Sequence, residues 1–415
     1  MNYLKFILPL SLSVLVTILN AQVNGCIDPL ASNYNASATN NDGSCMYNNT
    51  SIAPTSNYNL NNLVSSTSGL IVWDNHLCTH NDSNDSTIYE LDTANGNVTK
   101  MYPLTATFND DWEEISQDNN YVYLGDFGNS SNGNRTNLII VRISKISILA
   151  NTPVLDTIHY TYSNQTNFTP TNDRNTDFDC EAFIVTSDSI FLFTKQWISN
   201  KTSVYSLPKT PGTYVANLKT TFDVQGLITG ATFLESKKLI VLCGYSKFLQ
   251  PFIYLLYDYK GNEYFSGNKR KINLSLPFHQ TEGIATTNGI TYYISNEYLN
   301  NPPIAPVPQQ LNIFNLAPYL SGYLGVNTFV NTQTTLQNDI EVYPIPASEY
   351  ICIKTNKSFI PSNYSISNLS GKIVLIGKIS NENYSIDISN LLEDVYILSI
   401  DNKRKQVFKI IKNLK

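Results

Sequence analysis

The sequence predicts an all-β protein, a five- or six-bladed β-propeller followed by a small immunoglobulin-like β-sandwich. Three observations carry the larger part. The first is a degenerate internal repeat: "DDWEEISQDNNYVYLGDFGN", "TDFDCEAFIVTSDSIFLFTKQW", "GLITGATFLESKKLIVLCGYS" and "HQTEGIATTNGITYYISNE" each read as a strand, a polar turn and an apolar strand. Their opening positions Glu114, Glu181, Gly230 and Glu282 lie 67, 49 and 52 residues apart, and their closing positions Asp126, Lys195, Gly244 and Asn296 follow after 12, 14, 14 and 14 residues. "SGLIVWDNHL", around Trp73, reads as a fifth, partial copy. The second observation is what lies between the hairpins: "NLIIVRIS", "TSVYSLP", "PFIYLLYDY" and "LNIFNL" bring each unit to about four strands, with no helix-length amphipathic run. The third is composition. Charged residues are only 14%, against roughly 25% in an average globular chain. Tyr, Thr, Ile and Val supply the strands instead. A large β-sandwich is the competing architecture, and three glutamates at one repeat position favour the propeller.

Taken along the chain, residues 1–21 come first. One lysine, Lys5, precedes an apolar run that ends at Asn20-Ala21-Gln22, which predicts a secretory signal peptide cleaved between Ala21 and Gln22. No second apolar span of about 20 residues follows, so no transmembrane anchor is expected after cleavage. Export places the six cysteines in an oxidising compartment, where Cys26 and Cys45 are the pair close enough in sequence to bridge. Cys78, Cys180, Cys243 and Cys352 are dispersed, as buried strand thiols would be.

Residues 22–47 form a small turn-rich module, "GCIDPLASNYNASATNNDGSC", without apolar periodicity. It resembles a "GC-x-DP-x-A-x-NY" repeat of bacterial surface and secreted proteins. Asp28, Asn33, Asn35 and Asp42 are available either for Asx turns, the favoured reading, or for calcium. A polar linker, 48–57, is expected to uncouple the module from the propeller, 58–320. A second linker, 321–338, leads to a separate domain, 339–415. There, "YICIK", "NYSISN", "KIVLIGKI", "YSIDIS", "VYILSID" and "QVFKIIK" alternate with turns and predict a compact sandwich.

Two further resemblances follow from these residues. "DWEEIS", "YVYLGDFGN", "DCEAF" and "TEGIA" resemble the "DWEDIA…YVGDIGDN…DAEAL…GEAIA" pattern of a loose group of secreted bacterial propellers, some labelled esterase-like or phytase-like by fold analogy. The last domain resembles the type A C-terminal sorting domain of the Bacteroidetes type IX secretion system. The matching residues are Val342, Tyr343, Pro344, Pro346, Ala347, Gly371 and Lys372 of "LSGK", "IDISNL" and "VYILSI". Ile345 stands where that family has Asn, and Asp394 where it has Gly. The resemblance implies passage to the periplasm, handling by the type IX secretion machinery, and delivery to the cell surface or the medium.

Chemistry is less legible. The chain has no Gly-x-Ser-x-Gly, no Walker-type loop, no HExxH and no CxxC. Its four histidines are His76, His80, His159 and His279, and the Asn/Asp-rich setting of His76, Cys78 and His80 reads as a loop. A net charge of −6 excludes a polybasic surface, so neither nucleic acid nor an anionic membrane is an expected partner. What remains is acidic. Blade-equivalent positions converge on a propeller axis, so Glu114, Glu181 and Glu282, with Asp126, Lys195 and Glu297, are expected near one mouth of the channel. Clustered carboxylates there need Lys195, backbone amides or calcium to neutralise them, and Gly230 is expected to leave room for a ligand. The expected function is binding of a surface glycan or protein, no catalytic residue being assigned. The alternative is a calcium-dependent hydrolase of the esterase-like or phytase-like propeller kind.

Overall fold

A computed structural model describes residues 22–325, 340–355, 360–368, 372–401 and 405–413. The chain divides into two compact units at residues 328/329. The signal segment with Ala21, most of the second linker, and Gly371 lie outside the described residues; Gln22 and Lys372 lie within them.

The first unit is propeller-like. Among the described residues it contains five four-stranded antiparallel blades, four of them built from consecutive strands. Blade 1 runs Thr67–Trp73, His76–Asn81, Thr87–Leu91 and Val98–Pro103. Blade 2 runs Trp112–Gln117, Tyr121–Asp126, Ile139–Ser144 and Leu155–Tyr162, and blade 3 Asp179–Val185, Ser189–Lys195, Thr202–Pro208 and Gly212–Phe222. Blade 4 comprises Leu227–Leu234, Leu239–Tyr245, Pro251–Tyr257 and Asn268–Leu274. Blade 5 has Thr281–Ala285, Thr291–Asn296 and Gln310–Asn315, and takes its outer strand, Ser56–Asn59, from the start of the body. The first strands touch in cyclic order, blade 5 closing on blade 1. Outer strands of blades 2 and 3 also pair in parallel, Ile158 opposite Gly212, which fuses the two blades into one eight-stranded sheet.

The five seams between blades each bury their own apolar cluster, as strands with two covered faces require. Ile71, Ile88, Trp112 and Val122 fill the seam of blades 1 and 2, and Tyr123, Ile140, Phe183 and Tyr205 that of 2 and 3. Blades 3 and 4 meet through Phe193, Val204, Ile240 and Phe252, and blades 4 and 5 through Val241, Ile253, Ile284 and Phe314. Leu70, Leu77, Ala285 and Leu311 close the ring between blades 5 and 1. Each Val, Leu, Ile or Phe among them contributes about 1.5–3 kcal/mol by burial.

Several expectations are corrected here. The stretch 48–57 is not a free linker: Ser51–Ile52 pairs with the outer strand of blade 4, and Ser56 to Asn57 already belong to the closing strand. The cysteine module is likewise not uncoupled. Cys26 and Cys45 are disulfide-bonded, and the module docks on blade 4. Asp28 Oδ2 accepts from the hydroxyls of Tyr47 and Tyr257, Asn41 Nδ2 donates to Asp258 and Asn268, and Lys269 Nζ donates to the Gly43 carbonyl. Buried polar partners on both sides make docking favourable where a polar linker suggested independence. Asp28, Asn35 and Asp42 each accept the backbone N–H two residues on, as Asx turns do, whereas Asn33 accepts from the Met46 N–H across the module. Residues 321–324 of the expected second linker complete a helix, Ala317–Leu324, whose Leu320 and Leu324 cap the seam of blades 4 and 5. The segment around His76, Cys78 and His80 is a strand rather than a loop.

In the second unit, Ile340–Tyr343, Tyr350–Thr355 and Asn383–Asp387 form one sheet, and Ile373–Ile379, Ser362–Asn368, Asp394–Asp401 and Lys405–Lys412 another. Alternating residues, among them Ile351, Ile353, Ile366, Ile386, Leu398 and Ile400, share one core between the two sheets. Of the described motif residues here, Val342 and Tyr343 lie on the first strand, opposite Ile353 and Cys352, and Ala347 is buried.

Candidate functional site

Every blade breaks its first hairpin at the same place. The strand pairing skips Ser68 and Gly69 in blade 1, Glu113 in blade 2, Glu181 in blade 3, Thr229 in blade 4, and Glu282 and Gly283 in blade 5. A bulge adds a residue to one strand and re-aims its side chain. Here it aims Ser68, Glu113, Glu181 and Glu282 into one cavity of about 130 Å3 at the mouth of the axis. Residues at the ends of the second strands of blades 3 and 4, Lys195 and Tyr245, and just after those of blades 1 and 5, Asp82 and Glu297, line it as well, together with Asp111, Arg174, Trp197 and Gln280.

This register corrects the sequence reading by one residue in two blades. The equivalent of Glu181 and Glu282 in blade 2 is Glu113, not Glu114. In blade 4 it is Thr229, not Gly230. Glu114 is fully buried, and its carboxylate accepts the N–H of Ala231 in blade 4 at 2.7 Å and of Ile115 at 3.0 Å. It also takes a backbone bond from Leu70 of blade 1. Glu114 thus ties three blades together across the axis. Gly230 leaves no empty space for a ligand: a Cβ there would lie 2.2 Å from the Glu282 carbonyl, so glycine is what lets the strands of blades 4 and 5 approach. Asp126 does not line the cavity; Arg135 holds it at 2.8 Å. Glu181, Glu282 and Glu297 do line it.

Sequence reasoning missed Glu113, Asp111, Asp179 and Asp82. The signal was present. "DWE", "DCE" and "QTE" superpose Glu113 on Glu181 and Glu282, and the spacing of 12 among three of 14 flags blade 2, although the misplaced Gly230 keeps the ordinary 14.

Electrostatically the cavity has two halves. On the side of blade 3, Lys195 Nζ lies 2.8 Å from Glu181 Oε1, both almost fully buried. Asp179 accepts from the Asn129 N–H at 2.6 Å and from Trp197 Nε1 at 2.7 Å. Burial alone would depress the Lys195 ammonium, but Glu181, Tyr245, Glu282 and Asp179 around it hold it well above the ordinary lysine range, so it stays charged. Its ammonium also sits 4.7 Å from the centre of the Trp197 ring. Asp111, with Arg135 at 3.9 Å, is pushed up to about 7 by burial and by Asp179. Burial and Glu181 push Glu113 well above the usual carboxylate range. On the side of blades 5 and 1, burial pushes Glu282 up to about 8, with Glu297 and Asp82 adding to it, and Glu297 up to about 7. Glu282 Oε2 is buried without a hydrogen-bond partner.

Among the described residues, only Glu113, Asp179 and Glu181 bring ligand atoms within 4.8 Å of one another. Two oxygens on opposite sides of a calcium ion at about 2.4 Å each have that separation. The group fits an ion in spacing, and the Lys195 ammonium, paired with Glu181, offsets part of its charge. His76, Cys78 and His80 form no such group: His80 is fully buried, with burial pushing it down to about 4, and Cys78, Cys180 and Cys243 are buried free thiols.

Residues 341–413 match the secretion system C-terminal sorting domain, and the protein is secreted through the type IX secretion system, across the outer membrane to the cell surface or the medium. The secretion machinery is thereby one partner. No curated protein matches the sequence. Similar solved structures include PorZ, a surface component of the type IX secretion system of Porphyromonas gingivalis (9% identity, TM-score 0.31, 83% of this chain and 45% of that one). Glutaminyl cyclase of Myxococcus xanthus is another (10% identity, TM-score 0.38, 65% of this chain and 100% of that one). A third is the β-propeller domain of Cps50 (Swd1) of Myceliophteria thermophila (8% identity, TM-score 0.30, 63% of this chain and 99% of that one). The chain thus spans under half the length of PorZ. No helix among the described residues is long and apolar enough to cross a membrane.

Proposed function

We propose that the secreted body is a binding module, a five-bladed propeller that takes a surface glycan or protein at the acidic mouth of its axis. The convergence of bulge residues from the blades on one cavity, with Glu282 Oε2 left unpartnered inside it, carries the reading. A buried acceptor without a donor costs stability of about 1–3 kcal/mol, more for a charged group, which a bound ligand can recover. The test presents labelled mature protein to arrays of glycans and of surface proteins, beside Glu282→Gln. Ligands retained equally by both proteins would sink the proposal.

The Glu113, Asp179 and Glu181 group is the specific observation behind the second reading, a calcium-dependent hydrolase. Turnover of phosphate or acyl esters that requires calcium and disappears in Glu113→Gln would replace the binding reading. We also propose a signal peptide over residues 1–21, removed between Ala21 and Gln22, and an immunoglobulin-like sandwich over 339–415. The second is supported by two small sheets sharing one core. N-terminal sequencing of the exported protein checks the first.

A further inference from the structure

The two halves of the mouth are not equally satisfied. Lys195 pairs with Glu181, Asp179 has donors on both oxygens, and Arg135 faces Asp111. Asp82, Glu282 and Glu297, contributed by blades 1 and 5, form no ion pair among the described residues, and Glu282 is 6% exposed with one oxygen unpartnered. These three carboxylates also do not converge closely enough to share one small ion. A cation that reaches several acceptors through separate N–H donors, each about 2.8 Å long, bridges wider gaps than a bare metal can. The cavity of about 130 Å3 admits a side-chain head group and a few waters of roughly 30 Å3 each, and Trp197 and Tyr245 give it aromatic walls.

The rim identifies what carries that cation. Loops that join the blades, or join second to third strands, all emerge at the mouth end, and they hold exposed Phe108, Phe168, Ile198, Phe248, Phe278 and Tyr298. Phe248 is 87% exposed and Phe108 69%. Leu249 and Phe278 adopt φ of +53° and +66°, a region bulky residues rarely enter, and the Phe278 N–H donates to the Leu249 carbonyl at 2.8 Å. That bond couples the two loops that present Phe248 and Phe278. Exposed aromatic side chains around a polar centre are the composition of a protein-binding surface.

We propose that the mouth receives an arginine or lysine side chain of a protein partner, inserted between Asp82, Glu282 and Glu297, with the apolar rim holding the residues that flank it. The inference rests on the mouth being the binding site, and it names the class of ligand. It is tested on the full mature chain by calorimetric titration with acetyl-Leu-Arg-Leu-amide, acetyl-Leu-Lys-Leu-amide, the same peptide with citrulline, and calcium chloride. Binding of a cationic peptide is expected, weakening with salt. It should fall about tenfold or more with citrulline or in Glu282→Gln and Glu297→Gln, one good charged contact being worth that much, and severalfold in Phe248→Ala. Circular dichroism verifies that each variant folds. Equal affinity for the arginine and citrulline peptides overturns the inference, as does failure of both cationic peptides to bind, whether or not calcium binds. If array ligands still depend on Glu282 while the cationic peptides fail, this inference falls alone. If nothing depends on Glu282, the binding reading falls with it.

Discussion

Glu113 and Glu114 are adjacent, yet one faces the cavity and the other crosses the axis, because the bulge in blade 2 turns a single residue out of register. Replacing Glu114 by Ala removes the acceptor for N–H groups of three blades, two of them Ile115 and Ala231, and the loss should be about 2–4 kcal/mol by denaturant unfolding. Glu114→Gln keeps one acceptor oxygen and should lose less; equal losses would show that the bonds do not matter. Glu282, Glu297 and Asp111 give a second measurable effect. Their folded pKa values, about 8, about 7 and about 7, exceed the roughly 4 of an unfolded carboxyl, so the folded state binds protons more tightly. Their contribution is therefore intact below about pH 4 and is lost as pH rises through 7 and 8. Glu282 faces Lys195, Asp82, Asp179 and Glu297, and only Lys195 opposes the rise. The melting temperature is expected to fall between about pH 5 and pH 8.5, less steeply in Glu282→Gln. A melting temperature that rises over this window contradicts the assignment.

At the scale of elements, the hairpins were legible because strand, polar turn and apolar strand recur with little variation. The register was not, because a bulge shifts pairing without altering the hydrophobic pattern; an anomalous spacing betrays it in blade 2 but not in blade 4. The closing strand escaped for a different reason. "SNYN" has no apolar alternation, and its place is set by the open edge of Gln310–Asn315 some 250 residues away. Docking of the cysteine module was equally invisible, depending on Asp28 meeting Tyr257. It has a consequence. The disulfide should stabilise its loop by roughly 3 kcal/mol. Because the module is bonded to blade 4, Cys45→Ser should reduce hydrogen-exchange protection in Pro251–Tyr257 and Asn268–Leu274 as well as locally. Loss confined to residues 22–47 would show that the docking contacts transmit nothing.

For the whole molecule, the sorting-domain match makes export expected to depend on the second unit. Deleting residues 339–415 is expected to leave the protein in the periplasm, as followed by cell fractionation; normal surface delivery of the truncated chain would refute this. The sorting unit was the most legible part of the sequence, since short motifs and alternating strands coincide there. The ring itself is unevenly joined. Blades 2 and 3 share an eight-stranded sheet and behave as one plate, whereas blade 5 is latched by only four residues, Ser56–Asn59, that lead directly into blade 1. The satisfied carboxylates stand on the plate and the unsatisfied ones beside the latch. If the mouth takes a ligand as proposed, the sheet connectivity makes it a vice whose fixed jaw is the plate, and accommodation to ligands of different girth is expected of the blades carrying Asp82, Glu282 and Glu297.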